Sequence, residues 1–208
     1  MLVTFEGIEG CGKSSVLRAV AQTLGQSGRE AVTTREPGGT AVGERIRDIF
    51  LDGIAGMGPL AEALLANASR AELVQTVIRP GLARHAIVLC DRFTDSTVAY
   101  QGYGRGLDPE MLLEMCKIAT GGLMPDLTLL LDVPVDVSRK RVGARARDAG
   151  HEADRMEREN DDFHERVRAG YLQLAKRFSR FFVLDGCLPP ESLSEAVSRE
   201  IDLRTPVP

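Results

Sequence analysis

Gly7-Ile8-Glu9-Gly10-Cys11-Gly12-Lys13-Ser14 is the stretch on which the fold turns. It fits the pattern GxxxxGK(S/T) in full. Glycines let the backbone curl until successive N–H groups point at one anion. A helix starting where the loop ends adds its positive N-terminal end. In such a loop Lys13 reaches the β- and γ-phosphates of a nucleoside triphosphate, and the Ser14 hydroxyl is set to ligate Mg²⁺. With Gly near 7% of average usage, a chance match in a chain this long is on the order of one in a hundred. The flanks also fit. Leu2-Val3-Thr4-Phe5-Glu6 reads as a buried strand, and Val16, Leu17, Val20, Ala21 and Leu24 fall on one helical face, with Gly25 as the expected stop. Gly7 through Ser15 are therefore the expected triphosphate site. No NKxD element is present to read guanine, which argues against a GTPase.

Working outward, further short apolar runs alternate with helical patterns. Strands are expected at Ala31–Thr34, Ala86–Cys90, Leu127–Leu131 and Phe181–Leu184. Phe163, Val167, Tyr171, Leu174 and Phe178 make one apolar stripe at spacings of three and four. Near-continuous apolar strands separated by helices predict an α/β protein: a P-loop NTPase three-layer fold with a five-stranded parallel sheet between helices. Residues 1–208 read as one domain. Arg139 to Arg158, dense in charge and poor in apolar residues, reads as a mobile, solvated excursion.

Composition narrows the function. The chain has 208 residues, 43% apolar and 27% charged, with a net charge of −4. Nothing global points to nucleic acid or an anionic membrane, so phosphate-binding charge has to be clustered locally. Cys11, Cys90, Cys116 and Cys187 match neither metal-site spacing nor a disulfide framework. No apolar run is long enough to span a bilayer and no leader pattern opens the chain, so a cytoplasmic location with reduced thiols is expected. His85, His151 and His164 stand at no catalytic or metal spacing and read as surface residues. Cys11 sits where a helix N-terminus would acidify its thiol, so its alkylation is expected to impair ATP binding if that thiol is reactive.

The rest of the chain resembles bacterial thymidylate kinases. The resemblance rests on Phe5-Glu6-Gly7-Ile8-Glu9-Gly10, Arg35-Glu36-Pro37-Gly38-Gly39-Thr40, Asp91-Arg92-Phe93, Ala99-Tyr100-Gln101-Gly102, Gly104-Arg105-Gly106 and Pro125-Asp126-Leu127-Thr128. The blocks stand in the family's order and span nearly the whole chain. The resemblance implies transfer of the γ-phosphoryl group of ATP to dTMP, with Mg²⁺. It implies that Arg92, with Arg35 and Arg47, binds the acceptor phosphate, and that Asp91 helps Ser14 hold the metal. Pro37 would shape the acceptor loop and Glu9 would face the sugar 3′-hydroxyl. Tyr100 would lie under the deoxyribose, leaving no room for a 2′-hydroxyl. Gln101, Thr97 and Arg70 would make polar contacts to thymine. The P-loop carries Gly10 where other family members have Arg, so the neutralising arginines are expected from a lid over residues 139–158: Arg145 and Arg147 toward phosphate, Arg141 toward adenine, with Asp185-Gly186-Cys187 completing the adenine pocket. A homodimer is also implied.

One departure affects the base. In Leu64-Leu65-Ala66-Asn67-Ala68-Ser69-Arg70, Ala66 stands where the family has the Phe that stacks on thymine. Stacking of a base on an aromatic ring contributes about 1–3 kcal/mol, and binding without it is weaker by that amount. Phe93 and Tyr103 are the candidates to fill the gap; Ala66→Phe is expected to lower the Michaelis constant for dTMP, and an unchanged or raised value would mean that another side chain already fills the space. A kinase for another nucleoside monophosphate and a non-catalytic ATP-binding regulator are the competing readings.

Overall fold

The computed structural model describes residues 1–51, 57–149 and 154–205. Its centre is a five-stranded, all-parallel sheet in the order β2-β3-β1-β4-β5. The strands are β1 (Leu2–Glu6), β2 (Ala31–Arg35), β3 (Ile87–Asp91), β4 (Leu127–Asp132) and β5 (Phe181–Asp185). The three central strands are buried almost throughout, and covering both faces with helices is what makes their apolar runs continuous.

The helices are α1 (Lys13–Gln26), α2 (Ala41–Leu51), α3 (Pro59–Leu73), α4 (Arg79–Ala83), α5 (Thr94–Thr97), α6 (Pro109–Thr120), α7 (Val135–Ala149), α8 (Asp161–Arg177) and α9 (Pro190–Arg204). Helix α1 lies along β1, β2 and β3 and packs on α9, while α8 crosses β4 and β5. Local signals start and stop them. Asn160 caps α8 by accepting from the Phe163 N–H at 2.9 Å, with Asp161 and Asp162 in the first turn and Lys176 and Arg177 in the last. A cap of this kind stabilises by about 1 kcal/mol, and the charges complement the helix dipole. Helix α1 runs past Gly25, and the left-handed turn falls instead on Gly28, at φ +76°.

Two wider, π-helical turns interrupt the pattern: Val74–Ile78 joins α3 to α4, and Val98–Gly104 follows α5. Such turns often mark functional segments, and the second carries Tyr100 and Gln101. It presses closely on α8. A Cβ on Gly170 would stand 2.6 Å from the Tyr103 ring, and one on Gly104 2.7 Å from Phe163.

The segment 139–158 departs from expectation. Over its described residues it is the continuation of α7, with Val142 buried, followed by a turn in which Met156 is buried. Arg139 donates to the Glu157 carbonyl at 2.7 Å and pairs with Asp161 at 2.7 Å, tying helix to turn. The charges satisfy one another locally. Residues 150–153, including His151, lie outside the described residues.

Candidate active site

The P-loop joins the end of β1 to the start of α1. Gly7 adopts φ +138°, and a Cβ there would lie 2.6 Å from the Leu131 carbonyl oxygen. At Gly10, φ +69°, a Cβ would meet the Ser138 carbonyl at 2.8 Å. Only glycine fits either place. Ser138 also donates its hydroxyl to the Glu9 carbonyl at 2.6 Å, fastening α7 to the loop. The Lys13 ammonium folds onto the loop, donating to the carbonyls of Gly7 at 3.0 Å and Ile8 at 3.1 Å and touching Cys11 Sγ at 3.4 Å. Ser14 donates to Asp91 Oδ2 at 2.6 Å, joining the start of α1 to the end of β3.

Arg92 follows β3 directly. Its backbone sits at φ +70°, a left-handed conformation that costs a non-glycine residue roughly 1–2 kcal/mol. The turn aims the guanidinium back across the sheet. Nη1 donates to the Gly7 carbonyl at 3.0 Å, and Nη2 reaches Glu9 Oε1 at 2.9 Å and the Tyr100 hydroxyl at 3.0 Å. The Tyr100 hydroxyl in turn donates to Glu9 at 2.7 Å. Burial alone would raise the Glu9 carboxyl, but Arg92, Lys13 and the Tyr100 hydroxyl together hold it below the usual carboxylate range. Glu9 is thus an anion ready to accept from a hydroxyl.

A buried carboxyl supports this layer from beneath. Glu6 accepts from the Phe93 N–H at 2.8 Å, the Ser96 hydroxyl at 2.6 Å and the Tyr171 hydroxyl at 2.9 Å. Burial, with the like charge of Asp95, pushes it up to about 7.

These groups line one cleft of about 570 Å³. The P-loop lines it with Gly10, Gly12, Lys13, Ser14 and Ser15, and Arg35, Pro37, Arg47, Ala66, Arg70, Thr97 and Gln101 line it from other elements; Asp91 joins the first set through Ser14, and Arg92, Glu9 and Tyr100 are bonded to one another. Burial and the neighbouring Arg35 pull the Arg47 pKa down, as expected where like charges gather to meet an anion.

Comparison with known proteins gives the arrangement a family. The thymidylate kinase family model matches residues 5–197. A thymidylate kinase from Desulfovibrio desulfuricans is 52% identical over 197 residues, covering 93% of this chain and 91% of the relative. One from Geobacter sulfurreducens is 48% identical over 208 residues, covering 98% and 97%. The chain belongs to the thymidylate kinase family. Among solved structures, the thymidylate kinase of Ehrlichia chaffeensis superposes with a TM-score of 0.77 at 31% identity, covering 97% of this chain and 98% of that one.

Within this thymidylate kinase fold the expected residues divide by what already holds them. Gly7, Ile8 and Cys11 shape the loop from inside and do not line the cleft. Arg35, half-exposed, pairs with Glu44 at 2.9 Å, and Arg47 donates to the Pro37 carbonyl at 2.9 Å. Gln101 donates to Glu62 at 3.1 Å. Arg70 is buried and already committed: to Glu36 at 2.8 Å, Asn67 at 2.9 Å, Cys116, the Phe93 carbonyl and Thr97 at 3.0 Å. With those donors engaged, Arg70 organises the pocket wall, and a contact to a base would require releasing one. Arg141 reaches the Gly186 carbonyl at 2.9 Å. Arg145 lines the cleft while paired with Glu157; Arg147 is exposed and does not line it.

His164 corrects the reading of surface histidines. It is buried, with Nδ1 3.5 Å from Glu9 Oε2, and burial lowers its pKa. His85 is exposed as expected. Arg18, Phe50, Leu51, Ser96 and Met156 line the same cleft without a sequence pattern that singles them out. Phe50 belongs to the apolar run Ile49-Phe50-Leu51 and Met156 is a lone apolar residue among charges, and neither pattern separates a cleft wall from ordinary core.

Proposed function

We propose that this chain catalyses transfer of the γ-phosphoryl group of ATP to dTMP, giving ADP and dTDP. The observation that carries the reading is the single cleft that runs from Lys13 and Ser14 past Arg92 to Tyr100 and Gln101, in a member of the thymidylate kinase family. An oxygen of the dTMP phosphate attacks the γ-phosphorus as the bond to the β–γ bridging oxygen breaks. With a second pKa near 6, a phosphate monoester is mostly a dianion at neutral pH. The attacking oxygen then has no proton to give up, and no general base is needed. The work is positioning and charge neutralisation.

In this reading Lys13 leaves the loop carbonyls for the β- and γ-phosphates. Arg92, Arg35 and Arg47 take the acceptor phosphate, to which a guanidinium fork is well matched. Glu9 accepts from the 3′-hydroxyl, while Tyr100 closes the space a 2′-hydroxyl would need. Thr97, Gln101 and Pro37 border the base, and Arg70 supports them. Arg145 faces the phosphates after giving up Glu157, Arg147 approaches only if the end of α7 moves, and Arg141 with Gly186 borders the adenine. Residues 139–158 serve as the lid of one domain.

Ser14 and Asp91 present a hydroxyl and a carboxylate oxygen 2.6 Å apart. Hard oxygen donors in small number suit Mg²⁺, which keeps waters and phosphate oxygens as its other ligands. These two residues would hold it; when bound it draws charge off the phosphate oxygens.

A homodimer accompanies the reading. Leu60 and Leu64 on α3, Met111 and Ile118 on α6 and Val42 and Ile49 on α2 are exposed apolar residues, and α3 packs on both α2 and α6. A dimer there would cover them, and light scattering should give twice the chain mass. No described helix is long and apolar enough to cross a membrane, and the four cysteines are free; a cytoplasmic location agrees with both. A coupled ADP-release assay against dTMP, dUMP, UMP, CMP, AMP and GMP tests the assignment. dTMP should be best; a different winner would reassign the base, and ATP binding without transfer would remove the kinase reading.

A further inference from the structure

The cleft wall at Ala66 offers a methyl group where an aromatic face would serve a base. Neither substitute expected from sequence supplies it. Tyr103 is wedged against Gly170 and does not line the cleft. Phe93 lines it but is fully buried, with the Arg70 guanidinium 5.5 Å from its ring centroid.

Phe50 is placed differently. It lies in the last turn of α2, lines the cleft, and keeps 7% of its surface exposed where Phe93 keeps none. Arg155 holds it twice: the guanidinium lies 5.2 Å from the ring centroid, and Nε donates to the Phe50 carbonyl at 3.0 Å. Nη1 of the same guanidinium pairs with Glu62, which is almost fully buried. Glu62 stands four residues before Ala66 on α3, so the two share a helix face. The same carboxylate accepts from Gln101 at 3.1 Å. One buried carboxylate thus links the ring, through Arg155, to the residue expected to read the base.

We propose that Phe50 is the aromatic face for the acceptor's base in this chain, held in place by Arg155 and Glu62, and that it supplies the stacking surface that the methyl group of Ala66 is too small to give. A ring fixed by a cation and a backbone bond loses little freedom when a base stacks on it, so the contact is retained in the affinity. The site prefers a flat base, and the clamp sets how far that base lies from Gln101.

This rests on the dTMP reading, so wild-type turnover of dTMP is measured first; its absence defeats that reading. The test then uses Phe50→Leu, which keeps apolar volume and removes the π face, and the double variant Phe50→Ala with Ala66→Phe, which moves the ring across the cleft. Calorimetric Kd and steady-state constants are measured for dTMP and ATP. Phe50→Leu should raise the Kd and KM for dTMP about tenfold, with kcat and the ATP constants within about twofold. The double variant should bind dTMP more tightly than Phe50→Ala alone. An unchanged dTMP Kd in Phe50→Leu overturns the proposal. So does an equal loss for ATP, which would mean general loosening, or a double variant no better than Phe50→Ala. If the double variant does not fold, Phe50→Leu decides alone.

Discussion

Glu6→Gln tests whether the layer beneath the P-loop is held together by a proton. Glu6 is fully buried at the end of β1 and accepts three hydrogen bonds, yet burial and Asp95 push its carboxyl from 4.5 up to about 7. Below pH 4.5 the folded and unfolded chains both carry the proton, and the contribution is fully present. Between about 4.5 and 7 the unfolded chain ionises while the folded chain keeps its proton, so stability falls as pH rises. Above 7 the loss is complete. A shift of this size corresponds to about 3 kcal/mol. Glutamine mimics the protonated carboxyl in shape and can bond to the same hydroxyls by letting them turn. Urea unfolding should therefore find Glu6→Gln close to wild type at pH 5 and more stable by about 2–3 kcal/mol at pH 8. A difference that does not change with pH, or that grows as pH falls, would refute the reasoning.

Chelation by EDTA should abolish turnover, and Ser14→Ala should raise the Mg²⁺ concentration at half-maximal rate several-fold; turnover indifferent to EDTA would remove Ser14 and Asp91 from a metal role. Ala66→Phe alone should leave the dTMP Michaelis constant unchanged or raised, because Phe50 already offers a ring; a drop near tenfold would show an empty stacking seat instead. Gly170→Ala forces a Cβ to within 2.6 Å of the Tyr103 ring. Overpacking of this kind costs about 1–3 kcal/mol, so calorimetry should show Tm lower by roughly 3–10 °C, and an unchanged Tm would mean the ring moves freely. Iodoacetamide should label exposed Cys187 well before buried Cys11; fast loss of ATP binding through Cys11 would contradict its packing.

The sheet was legible because a strand buried on both faces is apolar at most positions, with buried Thr4, Glu6 and Thr128 as exceptions, and such runs stand out between amphipathic helices. The P-loop was legible because two of its glycines occupy places no side chain can enter. Other features escaped for physical reasons. The Gly25 stop failed because glycine at a helix end matters only where the backbone turns left-handed, and that turn is at Gly28. The charged stretch after β4 is solvated, as its charge implies, but it begins as the continuation of α7, and its arginines pair with Glu157 and Asp161 of the adjoining turn and α8. His164 looked isolated because its neighbour Glu9 lies near the other end of the chain. Glu62 gave no signal at all. A lone glutamate on an amphipathic helix reads as surface, and only the fold brings Arg105, Arg155 and Gln101 to it.

The most direct test of the central claim follows the label from [γ-³²P]ATP in the presence of Mg²⁺ and dTMP. The label should appear in dTDP, in step with ADP, and Lys13→Ala and Arg92→Ala should each slow the transfer by at least about a hundredfold. Label found only in inorganic phosphate, or in another nucleotide in preference to dTMP, would contradict it.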